Sequence, residues 1–294
     1  MKPTILPPIP NLSLAVGRQH HLVLSHLLQS PRYENFYITE SWNGAYIILD
    51  NSAHEKKHGE SPEILLQQAE EIRASEIVCP DHLFDRADTV RRTREALQFF
   101  LVNEARLRQM TPIPRLMLVP QGSSPAEFSS CLQELVLEFL AIQKKSGESS
   151  TFFPTIGVSK DYEMWEGGLH HLLRHVIFPV AATLSDPEIH LLGWGRDLWA
   201  LESIVEDFGD LIRSIDSAKP IVYGIAGLRL DPNVPAPEYP RRSKIYFTTS
   251  ISSENLEIVR ENIKVFDTIV SGGASDTQLR TLPKMSTQGL PSSP

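Results

Sequence analysis

Short apolar runs alternate along the chain with longer amphipathic ones, and the alternation predicts a series of strand–helix units. Leu12 to Val16 reads as a first strand and His20 to Leu28 as the helix after it. Ala45 to Leu49 (AYIIL) is a buried strand that stops at Asp50. Ser61-Pro62 is a helix start, an N-cap followed by proline at the first helical position. The helix Glu63 to Ala74 carries Ile64, Leu65, Gln68, Ala69 and Ile72 at helical spacing.

The unit then repeats. Strands are predicted at Glu76 to Cys79, Arg115 to Val119, Phe153 to Val158, Ile189 to Leu192 and Leu211 to Ile215, with Ile221 to Ile225 as one more short strand. Helices are predicted from Asp88 to about Gln109, from Ser124-Pro125 to about Lys145, from His170 to about Leu184, over Asp197 to Phe208 and over Asn255 to Val270. Strict alternation calls for a parallel sheet with covering helices. A doubly wound open sheet shares the local pattern. The count of about seven or eight units favours a (β/α)8 TIM-type barrel occupying residues 1–273, with a loose Ser-, Thr-, Pro- and Gln-rich tail over 274–294.

Composition is compatible with that class. Of 294 residues, 41% are hydrophobic and 22% charged, enough for one large core. The net charge of -8 differs from that of a strongly basic nucleic-acid binder but leaves room for a local basic patch. Cys79 and Cys131 alone make neither a disulfide framework nor a four-thiolate zinc site, which suits a reducing, cytoplasmic compartment. The start, Met1 to Pro10, lacks the basic and apolar regions of a signal peptide, and no apolar stretch is long enough for a membrane span.

Polar residues recur where strands stop: Asp50-Asn51-Ser52, Asp81-His82, Gln121-Gly122-Ser123, Gly193-Trp194-Gly195 and Asp216-Ser217. In a barrel these strand ends converge on one mouth and build the active site. Each cluster also has a purely structural reading as a cap or turn. Asp50 and Asp216, from different strands, are suited to act as base and nucleophile. Asp81 can accept two N–H bonds from a guanine-type face, and Gln121 offers donor and acceptor to a purine edge. The glycines of LLGWG let backbone approach a planar ligand.

Other polar groups carry less. Arg86, Arg91, Arg92 and Arg94 load one helix, where Asp88 and Glu95 balance them as a solvated face. Arg241, Arg242 and Lys244, after a proline-rich loop, are better placed for phosphate contacts. His20, His21 and His26, and His170, His171 and His175, lack the carboxylate pattern of a metal site, and none is assigned. Trp165 and Trp194 read as packing residues, although Trp194 sits inside the GWG turn.

Five segments, IILDNSAHE (Ile47 to Glu55), EIVCPD (Glu76 to Asp81), LMLVPQG (Leu116 to Gly122), IHLLGWG (Ile189 to Gly195) and RSIDSAKP (Arg213 to Pro220), together resemble the tRNA-guanine transglycosylase superfamily. The resemblance is closest to its shorter phage and bacterial branch, which inserts 7-deazaguanines into DNA. It implies a barrel enzyme that exchanges guanine for a deazaguanine base through a covalent aspartyl-glycosyl intermediate. Asp216 matches the family's nucleophile and Asp50 the aspartate that handles the proton. Asp81, Gln121 and Gly122 match the purine-reading positions, and Gly193, Trp194 and Gly195 the backbone segment beside the base. The implied chemistry needs no cofactor. Its partners are DNA or tRNA and a 7-deazaguanine base; a homodimer is left open.

The chain departs from the family in two places. No cysteine follows Cys131, so the C-terminal zinc subdomain that helps the tRNA enzymes hold tRNA has no counterpart, which favours DNA. The family's double glycine after the first aspartate is replaced by Asn51-Ser52-Ala53. The residues alone remain compatible with a tRNA-acting enzyme, a barrel lyase or hydrolase acting on a small metabolite, or a non-catalytic purine- or nucleic-acid-binding relative.

Overall fold

In the computed structural model, which describes residues 1–147, 152–194, 198–231, 243 and 245–272, eight parallel strands form a nearly closed barrel. The strands are β1 (Lys2–Ile5), β2 (His20–Leu24), β3 (Tyr46–Asp50), β4 (Glu76–Val78), β5 (Arg115–Leu118), β6 (Pro154–Ser159), β7 (Glu188–Leu192) and β8 (Ser214–Ser217). They are hydrogen-bonded in the order β1-β8-β7-β6-β5-β4-β3-β2, and β1 lies beside β2 across the seam. The helices are α1 (Pro31–Trp42), α2 (Ala53–Lys56), α3 (Pro62–Ile72), α4 (Arg86–Val102), α5 (Glu104–Gln109), α6 (Pro125–Ser146), α7 (Gly168–Leu172), α8 (Phe178–Ala181), α9 (Leu198–Phe208), α10 (Lys219–Ile225) and α11 (Ser253–Val270). The barrel is the predicted one, and the open-sheet alternative falls with it. The tail over 274–294 lies outside the described residues.

Caps fix several helix starts where the sequence signals them. Ser61, Asp85, Ser124 and Ser252 each accept from the backbone N–H three residues on, and Pro62 and Pro125 fill the first helical position. The basic face of α4 is paired as expected: Arg91 and Arg92 bind Asp88, Arg91 also binds Glu95, and Arg86 and Arg94 cross to Glu134 and Glu138 of α6.

The N-terminal expectations need correction. The first strand is Lys2–Ile5, and Leu12 lies in a 3-10 helix, Ile9–Ala15. The segment read as a helix from His20 to Leu28 begins with strand β2. A barrel strand is buried on both faces, so HHLVL shows no polar–apolar alternation, and periodicity alone cannot separate it from a buried helix. Helix α1 was not expected; its apolar residues are sparse, and it buries Tyr33 and Tyr37 among polar neighbours. Conversely, Ile221–Ile225 is helical despite its β-branched residues. Pro220 opens α10, and Gly224 lets it lie against α11, where an added Cβ would sit 2.3 Å from Val259. The helix predicted from His170 to Leu184 is α7 and α8 joined through one π turn.

The strand period of two sorts side chains into two cores. Leu22, Leu24, Ile48, Val78, Met117 and Val119 fill the barrel. Val23, Ile47, Leu49, Ile77, Leu118 and Leu191 face out and pack under the helices. Below the inner layer lies a charged floor. The guanidinium of Arg213 binds Glu76 and Glu188, each at 2.5 Å, and donates to the Tyr46 hydroxyl at 2.9 Å. Glu76 is fully buried. No helix among the described residues is long and apolar enough to cross a membrane.

Candidate active site

The C-terminal ends of the strands surround a cavity of about 780 Å³. Asp50, Asp81, Gln121, Gly193 and Asp216 all line it. On the inward side of β3, Ile48 is followed two residues later by Asp50. On β8, Ser214 is followed by Asp216 in the same way. Strand alternation therefore turns both carboxylates into the barrel mouth.

Asp216 is 1% exposed. Its Oδ1 accepts from the Gly193 N–H at 2.9 Å and lies 3.2 Å from Nε2 of His190. Gly193 has φ +69, a left-handed conformation that suits glycine and turns its N–H toward the carboxylate. His190 is fully buried on β7, and its Nδ1 lies 2.7 Å from the Ser214 hydroxyl. That hydroxyl in turn accepts from Nε of Arg213 at 3.0 Å. The Ser214 hydroxyl thus bridges Arg213 and Nδ1 of His190, while Nε2 on the other side of the ring faces the Asp216 carboxylate. A chain of hydrogen bonds thereby connects the floor to the mouth.

Asp50 ends β3, and its Oδ2 accepts from the backbone N–H of Ser52 at 2.7 Å. Ser52, with φ 62, sits in the left-handed region, so a residue with a Cβ occupies a tight turn there. The Ser52 hydroxyl interacts with Nδ1 of His26 at 2.8 Å. Burial raises the Asp50 pKa well above the ordinary aspartate value; the charges of Glu55, Asp81 and Asp216 push the same way, against the Ser52 hydrogen bond. These surroundings favour the protonated form of Asp50 more than water does.

Asp81 and Gln121 form a unit. Oδ2 of Asp81 accepts from Nε2 of Gln121 at 2.6 Å, and Oδ1 accepts from Nδ2 of Asn51 at 2.7 Å. Asn51 also donates to the Cys79 carbonyl at 2.6 Å and accepts from the Ala53 N–H at 2.8 Å. The carbonyl oxygen of Gln121 accepts from the Tyr162 hydroxyl at 2.5 Å and the Phe84 N–H at 3.1 Å. These bonds fix which way both amides point. Burial pushes the Asp81 pKa up to about 6, partly offset by the Asn51 and Gln121 bonds. Two oxygens with two donors already in place leave acceptor capacity for a ligand.

The remaining expected residues divide. Gly122 packs against the first turn of α6, where an added Cβ would lie 2.5 Å from the Phe128 nitrogen, and it does not line the cavity. Trp194 is 2% exposed within the outer core and also lies away from the cavity. Trp165 packs on Tyr162, ring centroids 4.4 Å apart. Gly195, Arg241, Arg242 and Lys244 lie outside the described residues; Ser243, between them in sequence, lines the cavity. Among the described residues no group of three His, Cys, Asp or Glu side chains converges on a metal position.

Sequence reading missed His190, Lys160 and the structural role of Asn51. The signal for His190 was present: in IHLL it shares the inward parity of Leu192, and its register partner on β8 is Ser214. Lys160 follows the last residue of β6 and lines the cavity beside Gly193. Comparison of the chain with protein-family models and with curated proteins finds no match.

Proposed function

We propose that the chain is a glycosyltransferase of the pentosyltransferase type, exchanging guanine in DNA for a 7-deazaguanine base of the 7-cyano-7-deazaguanine kind. The observation that carries this reading is the convergence on one cavity of two inward aspartates, Asp216 and Asp50, with the Asp81–Gln121 pair. The five-segment resemblance supports the same assignment of roles.

A carboxylate oxygen of Asp216 attacks C1′ of the target nucleotide, and the C1′–N9 bond breaks with its electron pair going to the purine. The proton of Asp50 passes to the leaving guanine. The entering deazaguanine returns a proton to Asp50 as its N9 attacks C1′ and releases Asp216. Two displacements keep the exchange reversible. The raised pKa of Asp50 suits the first proton transfer, and the ionised Asp81 suits N–H donors on the guanine edge. The base reaches such a cavity only after leaving the stack.

The test is incubation with guanine-containing DNA or tRNA and 7-cyano-7-deazaguanine, followed by digestion and mass spectrometry of the nucleosides. Wild type is expected to yield the modified deoxynucleoside, and Asp216→Asn none. Modification of tRNA alone would move the substrate to RNA. Absence of product from both nucleic acids, or equal product from Asp216→Asn, would overturn the reading.

A further inference from the structure

We infer that Lys160 forms a phosphate subsite of this cavity, holding a phosphodiester group that flanks the target nucleotide. The inference rests on the base-exchange reading and deepens it, because it makes the substrate a nucleotide within a chain rather than a free nucleoside.

The cavity is acidic: Asp50, Glu55, Asp81 and Asp216 all contribute to its wall. Cationic or ionisable basic residues on the same wall are mostly engaged. Lys56 pairs with Glu60, His54 lies 3.8 Å from Glu55, and the His26 ring is held by the Ser52 hydroxyl. Lys160 is different. It makes no ion pair with any described residue, although four carboxylates line the same space. An ammonium left unpaired beside so many carboxylates is available to a ligand anion.

Its position follows from the backbone. Ser159, the last residue of β6, accepts from the Asp161 N–H at 3.2 Å and turns the chain, so that the Lys160 stem crosses Gly193. A Cβ built on Gly193 would lie 3.6 Å from Cδ, 3.7 Å from Cε and 3.8 Å from Nζ of Lys160. The same Gly193 donates its N–H to Asp216. The ammonium and the proposed nucleophile are therefore set around a single residue. In a nucleotide bound through C1′ at Asp216, the phosphates are carried on C3′ and C5′, across the sugar ring from the bond to the base. A lysine reads phosphate as a point charge and needs no fixed fork geometry. Such a contact positions a nucleic-acid chain without reading its sequence.

The test is calorimetric titration of wild type, Lys160→Ala, Lys160→Gln and Lys160→Arg with guanine, 2′-deoxyguanosine and 2′-deoxyguanosine 3′,5′-bisphosphate. Lys160→Gln keeps most of the stem without the charge, and the circular dichroism spectrum checks that each variant is folded. Wild type is expected to bind the bisphosphate about tenfold more tightly than the nucleoside. Lys160→Ala and Lys160→Gln should lose that preference, Lys160→Arg should keep most of it, and guanine affinity should be unchanged in all four proteins. A preference that survives in Lys160→Gln overturns the subsite while leaving the base-exchange reading in place. Wild type that binds guanine but shows no phosphate preference does the same. Wild type that binds none of the three ligands overturns the base-exchange reading and the subsite with it.

Discussion

Nε2 of His190 lies 3.2 Å from Oδ1 of Asp216, at the top of a chain of hydrogen bonds that starts on Arg213 in the barrel floor. The carboxylate proposed to attack the sugar is thus held by a buried ring that is itself anchored from below. His190→Leu removes the contacts to both Asp216 and the Ser214 hydroxyl. A loss of about 10–100-fold in exchange rate is expected, the scale of a group that orients a reacting one. His190→Gln, which keeps an amide donor, should recover part of it. Exchange kinetics of the two variants check this, and equal rates for both would sever His190 from Asp216.

Asp50 trades stability for its proton. Its pKa is raised in the folded chain by burial and by the carboxylates around it. Below the unfolded value, near 3.8, the group is neutral in both states; as pH rises, the unfolded chain releases the proton first and folding stability falls. Asp50→Asn removes that loss and still accepts from Ser52. Its melting temperature is expected to exceed wild type by a few degrees at pH 8, with the gap closing toward pH 4, while exchange is abolished. Scanning calorimetry across that range decides the matter.

In the proposed reading Asp81 accepts N–H bonds from a guanine edge best when ionised, and burial pushes its pKa up to about 6. Guanine affinity is therefore expected to be flat above pH 7 and to weaken as pH falls through 6, approaching tenfold per unit below it. Asp81→Asn should bind more weakly and without that dependence. Titration calorimetry between pH 5 and 8 measures both.

The floor makes a stability prediction independent of function. Glu76→Ala leaves the Arg213 guanidinium, 11% exposed, with half of its carboxylate partners gone. A cost of about 3–5 kcal/mol is expected in urea unfolding, typical of a broken buried pair. A cost under 1 kcal/mol, the scale of an exposed pair, would mean that water reaches the floor.

How far these relationships were visible beforehand depended on the kind of signal. Asp50, Asp81, Gln121, Gly193 and Asp216 were legible because strand ends in a parallel barrel share one mouth, and all five line the cavity. Capped helices such as α3 and α6 were legible because Ser-Pro fixes a start regardless of context. Strand β2 was not, since a strand buried on both faces loses the alternation that identifies it. Trp194 and Gly122 misled for a different reason. Both adjoin cavity residues in sequence, but the first faces the outer core and the second is held against α6. His190 was signalled only by its parity with Leu192 within β7, and Lys160 required three-dimensional proximity, which no local pattern encodes.

The central claim is that Asp216 becomes covalently joined to the sugar. Guanine-containing DNA incubated with the protein without an incoming base, then denatured and digested with protease, should give a peptide containing Asp216 carrying an abasic nucleotide, identified by mass spectrometry. The adduct should be absent from Asp216→Asn and should disappear when 7-cyano-7-deazaguanine is added before denaturation. An adduct mapped to another residue, or modified DNA formed with no adduct at Asp216, would contradict the account.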